Sequence, residues 1–298
     1  MARNAKSKKR SAVKEKKASA VARKPIKSFT PRVEKQERWA RVSVALKRAV
    51  AAAKSQASSE EKPPVLSIVI PIHNEASIVG NSVSELVSGL REFGRPFEII
   101  LAENGSTDST VEVVRELEGR YKELKMLNSF HPNYGRALKQ GILFAKGDVI
   151  VCDEIDLCDI DFYQRAFDAI TNDCVDMVIG SKLMEGARDN RPLARHLASH
   201  IITGLLKAAT GLRSSDTHGL KAFRRDRLLP IVRQCVVEND LFASELVIRA
   251  EREGFLIREI PITVEEKRPP SINLVSRVPR VLGNLVRLTA AIRFGRSF

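Results

Sequence analysis

Apolar and polar positions along residues 65–152 switch regularly between two periods. Short apolar runs predict strands, and longer segments with apolar residues three and four positions apart predict helices. The predicted strands are Val65–Ile72, Phe97–Ala102, Leu124–Leu127 and Val149–Cys152. The predicted helices are Ala76–Phe93, Thr107–Tyr121 and Gly135–Ala145. Because strands and helices alternate, the sequence predicts right-handed crossovers and a mainly parallel sheet.

The second half of the chain is less regular and ends in a basic segment. Helices are predicted over Ile160–Ile170, Pro192–Thr210, Arg224–Val237 and Phe242–Glu253. Strands are predicted over Val175–Gly180, Thr217–Phe223 and Leu256–Val264. Residues 277–296 hold five arginines and no acidic residue, and aliphatic residues recur there at helical spacing. The sequence therefore predicts a folded domain over residues 63–270, followed by a basic amphipathic helix within residues 271–298.

The excess of positive charge lies in the first 62 residues. They hold 19 Lys and Arg against 5 Glu, whereas residues 63–298 hold 31 basic and 31 acidic residues. Residues 1–30 contain almost no large apolar side chains, which predicts disorder. Residues 35–57, with Trp39 near their start, predict an amphipathic helix with a basic side. That helix could lie on an anionic membrane, bind RNA through its charge, pack on the domain or remain a solvated linker.

Several classes of protein are disfavoured by composition. No run of 18 apolar residues is present, so the sequence predicts no membrane-spanning helix. The N-terminus lacks the apolar segment of a secretory signal. The four cysteines form no CxxC pair and have no His at metal-binding spacing, which indicates a reducing compartment. We therefore expect a cytoplasmic protein. The sequence does not indicate its oligomeric state.

Three stretches rich in acidic and turn residues follow predicted strands. They are residues 68–75, 103–108 and 153–157, which read IVIPIHNE, ENGSTD and DEIDL. Because the carboxyl ends of parallel strands meet at one edge of a sheet, these stretches should converge on one pocket. Such a pocket would offer carboxylates to a metal ion and loop amides to a nucleotide.

Glu154 and Asp156 are the candidate metal ligands. In an extended segment, residues two positions apart point to the same side, so both carboxylates can share one hard divalent cation with phosphate oxygens and water. Asp153 would point the opposite way and have a structural role. The alternative interpretation is a solvated acidic loop, because Asp159 and Asp161 follow. The position directly after a buried strand favours the metal site.

The other two turns are candidates for nucleotide binding. Pro71 ends the first predicted strand, and Asn74 and Glu75 open the next helix. Asn and Asp side chains in the 103–108 turn can hydrogen-bond a nucleobase or a ribose, and the helix N-terminus that follows favours anions. For the hydroxyl residues of that turn, helix capping is the simpler interpretation.

Residues 65–265 resemble the family 2 glycosyltransferases, most closely the dolichyl-phosphate mannose synthases and related polyprenyl-phosphate glycosyltransferases. That family has P-x-x-N-E, D-D-G-S-x-D and D-x-D at its strand ends, which correspond here to residues 71–75, 103–108 and 154–156. The subgroup is also matched by NYGRA at 133–137, GSK at 180–182, DTHGLKAFRR at 216–225 and EIPI at 259–262. The ordered series is much more specific than any one motif.

The resemblance implies a GT-A fold, which is a Rossmann-like α/β architecture, together with a nucleotide-sugar donor and a divalent metal ion, Mg²⁺ or Mn²⁺. Carried over by position, the nucleotide contacts fall on Pro71, Asn74, Glu75, Glu103 and Asn104. The metal ligands fall on Glu154 and Asp156, and Glu245 falls near a family acid close to the acceptor. Candidate phosphate contacts are Lys182, Arg195, Lys221 and Lys267.

The sequence departs from the family pattern at several of these positions. Asn104 and Glu154 stand where the family has aspartates, and His218 stands where the subgroup usually has Ser. Residues 267–274 read KRPPSINL where the subgroup has R-x-x-G-x-S-K-L. Such changes predict an altered specificity, or a relative that has lost activity.

The activity that the resemblance implies is inverting transfer of a sugar to a polyprenyl phosphate, with Asp156 and Glu245 as catalytic residues. Because that acceptor stays in the bilayer, we expect a peripheral protein on the cytoplasmic face of a membrane, docked by the 277–296 helix alone or together with the 35–57 helix. The alternative is that these helices pack on the domain and expose their arginines to water. One alternative is a soluble hydroxyl acceptor, with Glu245 or Asp216 as the base. Another is a non-catalytic GT-A protein that its basic tail tethers to nucleic acid or to an anionic membrane.

Overall fold

A computed structural model describes residues 63–129, 131–190, 193–264 and 274–294. The predicted basic tail, its helix at 35–57, and Lys267 lie outside these ranges. The described chain forms nine strands, eight α-helices and one short 3₁₀ turn at Asn239–Leu241. No helix in these ranges has both the length and the apolar content that a bilayer crossing requires.

The strands occur at the following bounds: β1 Leu66–Ile72, β2 Phe97–Asn104, β3 Leu124–Ser129, β4 Val149–Cys152, β5 Met177–Ser181, β6 Arg188–Asp189, β7 Lys221–Arg224, β8 Ile257–Pro261 and β9 Thr263–Val264. The helices are α1 Val79–Phe93, α2 Thr110–Arg120, α3 Tyr134–Phe144, α4 Ile160–Asn172, α5 Leu193–Thr210, α6 Arg225–Gln234, α7 Phe242–Arg252 and α8 Leu274–Phe294.

Seven strands form the main sheet, in the order β3-β2-β1-β4-β7-β5-β8. Every strand is parallel to the others except β7, which is antiparallel to both β4 and β5. The mainly parallel sheet is therefore confirmed. The chain runs outward from β1 to β3 and then returns to place β4 on the other side of β1. This reversal makes the β1/β4 boundary the topological switch point, where parallel α/β sheets bind their ligands.

Helices cover both faces of the sheet. Alternate residues of β1 point to opposite faces, so Ile68 and Ile70 contribute to one core and Val69 to the other. The first core joins the sheet to α1, α2 and α4. The second joins it to α3, α6 and α7, and includes Leu206 of α5 and Leu288 of α8. The carboxyl ends of the strands thus remain an open edge between two helical layers.

Several predicted element boundaries are wrong near that edge. Helices α1 and α2 begin about three residues later than predicted, because the turns before them are occupied by hydrogen bonds between the strand ends. The predicted strand Leu256–Val264 divides at Ile262. Its second part, β9, pairs in parallel with β6 in a separate two-stranded sheet. Helix α8 begins at Leu274, slightly before the predicted start at 277.

Candidate active site

The turns that follow β1 and β2 are joined by hydrogen bonds. His73 Nδ1 lies 2.9 Å from the Asn104 carbonyl oxygen. The Thr107 N–H donates to Asn74 Oδ1 at 2.8 Å, and the Asn74 N–H donates to the Ser106 hydroxyl at 3.0 Å. These two hydroxyl residues therefore brace the β1 turn, and the prediction that they cap the helix is wrong, because α2 has Ser109 at its N-cap. The predicted meeting of the two turns is observed.

Glu103 and Asn104 are buried, and one side-chain oxygen of each accepts a hydrogen bond from the backbone. The Ser106 N–H donates to the Glu103 carboxylate, and the Asn133 N–H donates to Asn104 Oδ1. Glu75 is also buried, and its N–H donates to the Thr110 hydroxyl at 2.8 Å. These side chains shape the strand-end turns.

Asn133 connects the β2 turn to the rest of the site. Its Oδ1 accepts hydrogen bonds from the N–H groups of Arg136 and Asn239, each at 3.0 Å. The bond from Arg136 caps the N-terminus of α3. Asn133 Nδ2 donates to Glu238 at 3.0 Å. Because Tyr134 follows Asn133 directly, the hydrogen bonds of Asn133 hold Tyr134 in place relative to the β2 turn.

A cavity of about 90 Å³ lies where β4 ends, beside the β1/β4 switch point. Its walls come from α3, from β4 and the loop after it, from the loop between β5 and β6, from the segment that leads into β7, and from β9 and the residue before it. The lining residues are Tyr134, Leu138, Cys152, Asp153, Glu154, Asp156, Leu157, Lys182, His218, Gly219, Leu220, Lys221, Ile262 and Val264. Four predicted site residues, two acidic and two basic, thus meet at one cavity. The 71–75 and 103–104 turns adjoin it through Asn133 and Tyr134.

The acidic loop is a turn and not the extended segment that was predicted. Residues 155–157 form the turn, and the Leu157 N–H donates to the Glu154 carbonyl at 3.0 Å. Glu154 and Asp156 line the same cavity, and Ile155 between them is buried. The reasoning from a two-residue period was therefore wrong, although both carboxylates line the cavity.

Asp153 anchors this loop from below. Its buried carboxylate accepts hydrogen bonds from the Tyr163 hydroxyl, from the Asp159 N–H at 3.2 Å and from the Glu154 N–H. Burial raises the pKa of Asp153 to about 7, against the lowering effect of these hydrogen bonds. Asp153 thus has the structural role that was expected, although it also borders the cavity.

The cavity is also lined by a buried ion pair and a buried lysine. Lys182 Nζ lies 3.0 Å from Asp216 Oδ2. Burial alone would raise the pKa of Asp216, but the Lys182 ammonium and the His218 N–H outweigh it and hold that pKa at about 2. Lys221 Nζ donates to the Gly219 carbonyl at 2.6 Å, and burial lowers the Lys221 pKa to about 8.

The loop that carries Asp216 is held in place by two carboxylates. Glu251 accepts from the N–H groups of Arg213 and Ser214, at 2.9 and 2.8 Å. Glu259 accepts from the Ser215 N–H at 2.8 Å, from the Ser215 hydroxyl at 2.7 Å and from the Asp216 N–H at 3.3 Å. Polar contacts therefore connect Glu259 of β8 to Asp216 and, through Asp216, to Lys182.

Glu245 lies elsewhere. It is completely buried on α7, and its Oε2 accepts from the N–H groups of Val236 and Val237, at 2.9 and 2.6 Å. Its Oε1 accepts from Arg249 at 2.8 Å. This carboxylate supports the loop after α6 and is not among the described residues that line the cavity. Arg195 is in the first turn of α5, and its side chain lies outside the described part of the structure, as does Lys267.

Sequence reasoning missed Tyr134, Tyr163 and the packing of Gly219. Burial of its hydroxyl and the nearby Glu154 carboxylate raise the pKa of Tyr134, although about a third of the residue is exposed. A Cβ added to Gly219 would lie 1.8 Å from the Gly180 carbonyl oxygen, so only glycine fits between these two loops. The position of Tyr134 directly after the helix-capping Asn133 was the available signal.

Residues 67–229 match the profile of glycosyl transferase family 2, which covers more than half of the chain. The chain belongs to glycosyl transferase family 2. The predicted resemblance is therefore confirmed.

Curated relatives of this family 2 chain include polyprenyl-phosphate transferases. It is 30% identical over 217 residues to glycosyltransferase AglD of Haloferax volcanii, covering 70% of this chain and 34% of that protein. It is 30% identical over 166 residues to the undecaprenyl-phosphate 4-deoxy-4-formamido-L-arabinose transferase of Pectobacterium carotovorum, covering 54% and 49%. It is 28% identical over 210 residues to a dolichyl-phosphate hexose transferase of H. volcanii, covering 68% and 83%. The chain thus spans about a third and a half of the first two relatives.

Solved structures show the same fold. Glucosyl-3-phosphoglycerate synthase of Mycobacterium tuberculosis, in complex with Mn²⁺, UDP-glucose and phosphoglyceric acid, superposes with a TM-score of 0.57 at 19% identity. The match covers 76% of this family 2 chain and 80% of that one. The predicted GT-A α/β architecture is confirmed.

Proposed function

We propose that this protein transfers a sugar, with inversion, from a nucleotide-sugar donor to a polyprenyl monophosphate. The observation that carries the proposal is the cavity beside the β1/β4 switch point, which is lined by two carboxylates and two lysines with buried side chains. Such a cavity suits a metal-bound diphosphate on one side and a phosphate monoester on the other. The names of the relatives, which include dolichyl-phosphate and undecaprenyl-phosphate transferases, support this acceptor class.

Glu154 and Asp156 are the residues that would hold a divalent metal ion. Asp156 makes no hydrogen bond or ion pair with the residues that the structure describes, so its carboxylate is available to a cation. Within the described ranges, no three acidic, His or Cys side chains cluster as a complete ligand set. Two carboxylates fit Mg²⁺ or Mn²⁺ when donor phosphate oxygens and water supply the other ligands. The metal, when bound, would stabilise the negative charge of the departing nucleoside diphosphate.

The nucleoside of the donor would lie over the joined turns of β1 and β2. Pro71, Asn74, Glu75, Glu103 and Asn104 build this floor. Because Glu103 Oε1 and Asn104 Oδ1 each accept a hydrogen bond from a backbone N–H, we assign these two side chains mainly to shaping the turn. Exposed Asn74 is the better candidate for direct contact with the nucleoside.

The two lysines would hold phosphate oxygens. Lys221 has a pKa of about 8, so it is mostly an ammonium at neutral pH. Lys182 would keep Asp216 as a partner while it donates its other protons to the ligand. Arg195 and Lys267 remain predicted contacts of the acceptor phosphate.

Two arguments favour a phosphate acceptor over a soluble hydroxyl acceptor. A phosphate monoester is already an anion at neutral pH, so it needs no strong general base. The two candidate bases are poorly suited to deprotonate a hydroxyl group. Asp216 is bound to Lys182 and has a pKa of about 2, and both oxygens of Glu245 are engaged away from the cavity. We therefore assign Glu245 a supporting role for the loop after α6.

The test is a transfer assay with UDP- and GDP-sugars, Mn²⁺ or Mg²⁺, and a short-chain polyprenyl phosphate, beside a soluble sugar as acceptor. We expect a metal-dependent product with the polyprenyl phosphate only. Asp156→Asn should lower kcat by at least about 100-fold, because one metal carboxylate is lost. Asp168→Asn, which changes an exposed acid on the outside of α4, should leave the rate unchanged. Transfer to the soluble sugar would support the alternative of a soluble hydroxyl acceptor. No turnover of the donor with either metal ion would support the alternative of a non-catalytic protein.

A further inference from the structure

His218 lines the cavity together with Lys182 and Lys221, the two lysines assigned to phosphate oxygens. The sequence has His at this position where the subgroup usually has Ser. A Ser side chain offers one hydroxyl group close to the backbone, whereas an imidazole offers two ring nitrogens that reach further. The departure from the family pattern therefore changes what this part of the cavity can donate to a ligand.

The backbone at His218 is held by the same carboxylate that binds Lys182. The His218 N–H donates to Asp216 Oδ1 at 2.8 Å, and Lys182 Nζ lies 3.0 Å from Asp216 Oδ2. Gly219, the next residue, accepts from Lys221 Nζ at 2.6 Å. Contacts to residues 216 and 219 therefore gather two ammonium groups and one imidazole around a single short segment.

One ring nitrogen of His218 is turned toward the interior of the protein. His218 Nδ1 lies 3.2 Å from the hydroxyl of Thr217, which is completely buried. The Thr217 hydroxyl lies in turn 2.9 Å from the hydroxyl of Ser244 in α7, which is also completely buried. Because Nδ1 faces this buried pair, Nε2 is the ring nitrogen that can reach a ligand in the cavity.

The two hydroxyl groups suit His218 in two protonation states. Each hydroxyl can act as donor or acceptor, so the Thr217 hydroxyl can donate to Nδ1 of a neutral ring or accept from Nδ1 of an imidazolium. In the first case the neutral ring carries its proton on Nε2, and in the second case both nitrogens are protonated. In both of these states Nε2 presents an N–H to the cavity.

Packing alone does not explain the buried hydroxyl pair. Buried hydroxyl groups lose their hydration, and apolar side chains of similar size would fill the same space without that loss. Ser244 lies near the start of α7, where Phe242, Ala243 and Leu246 are apolar and buried. Orientation of the His218 ring gives the two hydroxyl groups a role that an apolar pair could not perform.

The charges of the cavity favour a further donor to phosphate. Asp216 balances the charge of Lys182, and a divalent ion would balance the two metal carboxylates. Among the described residues that line the cavity, Lys221 then remains to face the phosphate of an acceptor. A hydrogen bond from His218 Nε2 to a phosphate oxygen would be charge-assisted, and such bonds are roughly twice as strong as neutral ones.

We propose that His218 contacts the acceptor phosphate through Nε2, and that Thr217 and Ser244 position its ring for this contact. The identity of the acceptor as a polyprenyl phosphate rests on the proposed function. The contact itself concerns a phosphate monoester in the cavity. It can therefore be measured with citronellyl phosphate, a short isoprenoid monophosphate, in the presence of Mg²⁺ and without any donor.

The test compares variants of the full chain by calorimetric binding of citronellyl phosphate and by transfer kinetics. His218→Phe keeps a ring but removes both nitrogens, so we expect at least about tenfold weaker binding and a similar rise in the KM for the acceptor, with kcat within about threefold of the parent. His218→Gln places an amide N–H near the position of Nε2 and should restore binding to within about threefold of the parent. The matched control is His200→Phe, at an exposed position of α5, which should leave binding unchanged.

Thr217→Val tests the positioning of the ring. This variant removes the hydroxyl next to Nδ1, and we expect about threefold weaker binding of citronellyl phosphate together with a change in the side-chain nitrogen NMR shifts of His218. In the His218→Phe background the same substitution should have no further effect on binding, because no ring nitrogen remains to be oriented. A purely structural role of Thr217 would give the same loss in both backgrounds.

Binding by His218→Phe within about twofold of the parent would overturn the proposal, and so would equal losses in the Phe and Gln variants. If His218→Phe unfolds more easily in urea than the parent, His218→Ala makes the same comparison with His218→Gln. A parent protein that does not bind citronellyl phosphate would overturn the contact as well. A parent that binds it, and loses that binding in His218→Phe, but transfers no sugar to it would contradict the proposed function and support the contact.

Discussion

Lys182 Nζ lies 3.0 Å from Asp216 Oδ2, and the two side chains are only 7% and 2% exposed. Replacing Asp216 by Asn keeps the shape of the side chain but leaves the Lys182 ammonium buried without an opposite charge. We expect the free energy of unfolding to fall by roughly 3 kcal/mol, as is typical when one partner of a buried pair is removed. The matched control is Asp173→Asn, which breaks the exposed pair with Arg258 and should change stability by at most about 0.5 kcal/mol. Urea unfolding at pH 7 measures both.

The same pair predicts a pH dependence of stability. Folding lowers the Asp216 pKa from 3.8 to about 2, so its contribution is complete above pH 4 and is lost as the pH falls through 2. The shift corresponds to roughly 2 kcal/mol. The difference in unfolding free energy between the parent and Asp216→Asn should therefore narrow between pH 4 and pH 2. A constant difference over that range would contradict the ion pair.

Lys221 should make binding of the acceptor phosphate depend on pH near 8. Folding lowers its pKa from 10.5 to about 8, chiefly by burial, so below pH 8 the protein holds a buried ammonium at a cost in stability that is relieved between pH 8 and 10.5. The groups that act on this amine are Asp216, Cys152, Lys182 and Glu154. If the ammonium binds the acceptor phosphate, the KM for the polyprenyl phosphate should rise above pH 8, approaching about tenfold per pH unit. Lys221→Arg should remove this rise, because guanidinium stays charged. An unchanged KM profile in that variant would exclude Lys221 from the phosphate site.

The parallel sheet and the convergence of its strand ends could be predicted because they depend on local periodicity. The strand segments at 66–70, 99–102 and 149–152 are buried on both faces, which is the pattern of parallel strands. The antiparallel direction of β7 could not be predicted, since a four-residue strand carries no signal of direction. The strands that pair with β7 are determined by the fold of the whole chain.

The fine geometry of the site depends on contacts that are distant in sequence. Glu259 supports Ser215 across 44 residues, and Asn133 meets Glu238 across 105 residues. Neither pair leaves a periodic trace in the sequence. The turn at 155–157 was also missed, because an acidic segment after a strand reads equally well as extended chain.

Replacement by alanine should have opposite effects on stability at Gly135 and Gly119, which both lie within helices. A Cβ at Gly135 would lie 2.5 Å from the Asn239 carbonyl oxygen and 2.7 Å from its nitrogen, so backbone must move. Gly135→Ala should lower the free energy of unfolding by roughly 1–3 kcal/mol and displace the 239–241 turn. Gly119 in α2 has nothing within 4 Å of an added Cβ, so Gly119→Ala should raise the free energy of unfolding by about 0.5–1 kcal/mol. Thermal unfolding of both variants checks the prediction, and equal effects would contradict the packing at Asn239.

Glu259 should act on substrate binding through Asp216 and Lys182. Its carboxylate accepts from the Ser215 N–H and hydroxyl, at 2.8 and 2.7 Å, and Glu259→Gln removes the charge that strengthens these bonds. We expect a loss of roughly 1–2 kcal/mol in unfolding free energy, together with a higher KM for the polyprenyl phosphate. Because Glu259 works through Asp216, the double variant Glu259→Gln with Asp216→Asn should have a KM close to that of Asp216→Asn alone. Glu251→Gln, which loosens the loop at Arg213 and Ser214 instead, serves as the comparison and should add to Asp216→Asn. Full additivity of Glu259→Gln with Asp216→Asn would show that Glu259 supports the fold without positioning Lys182.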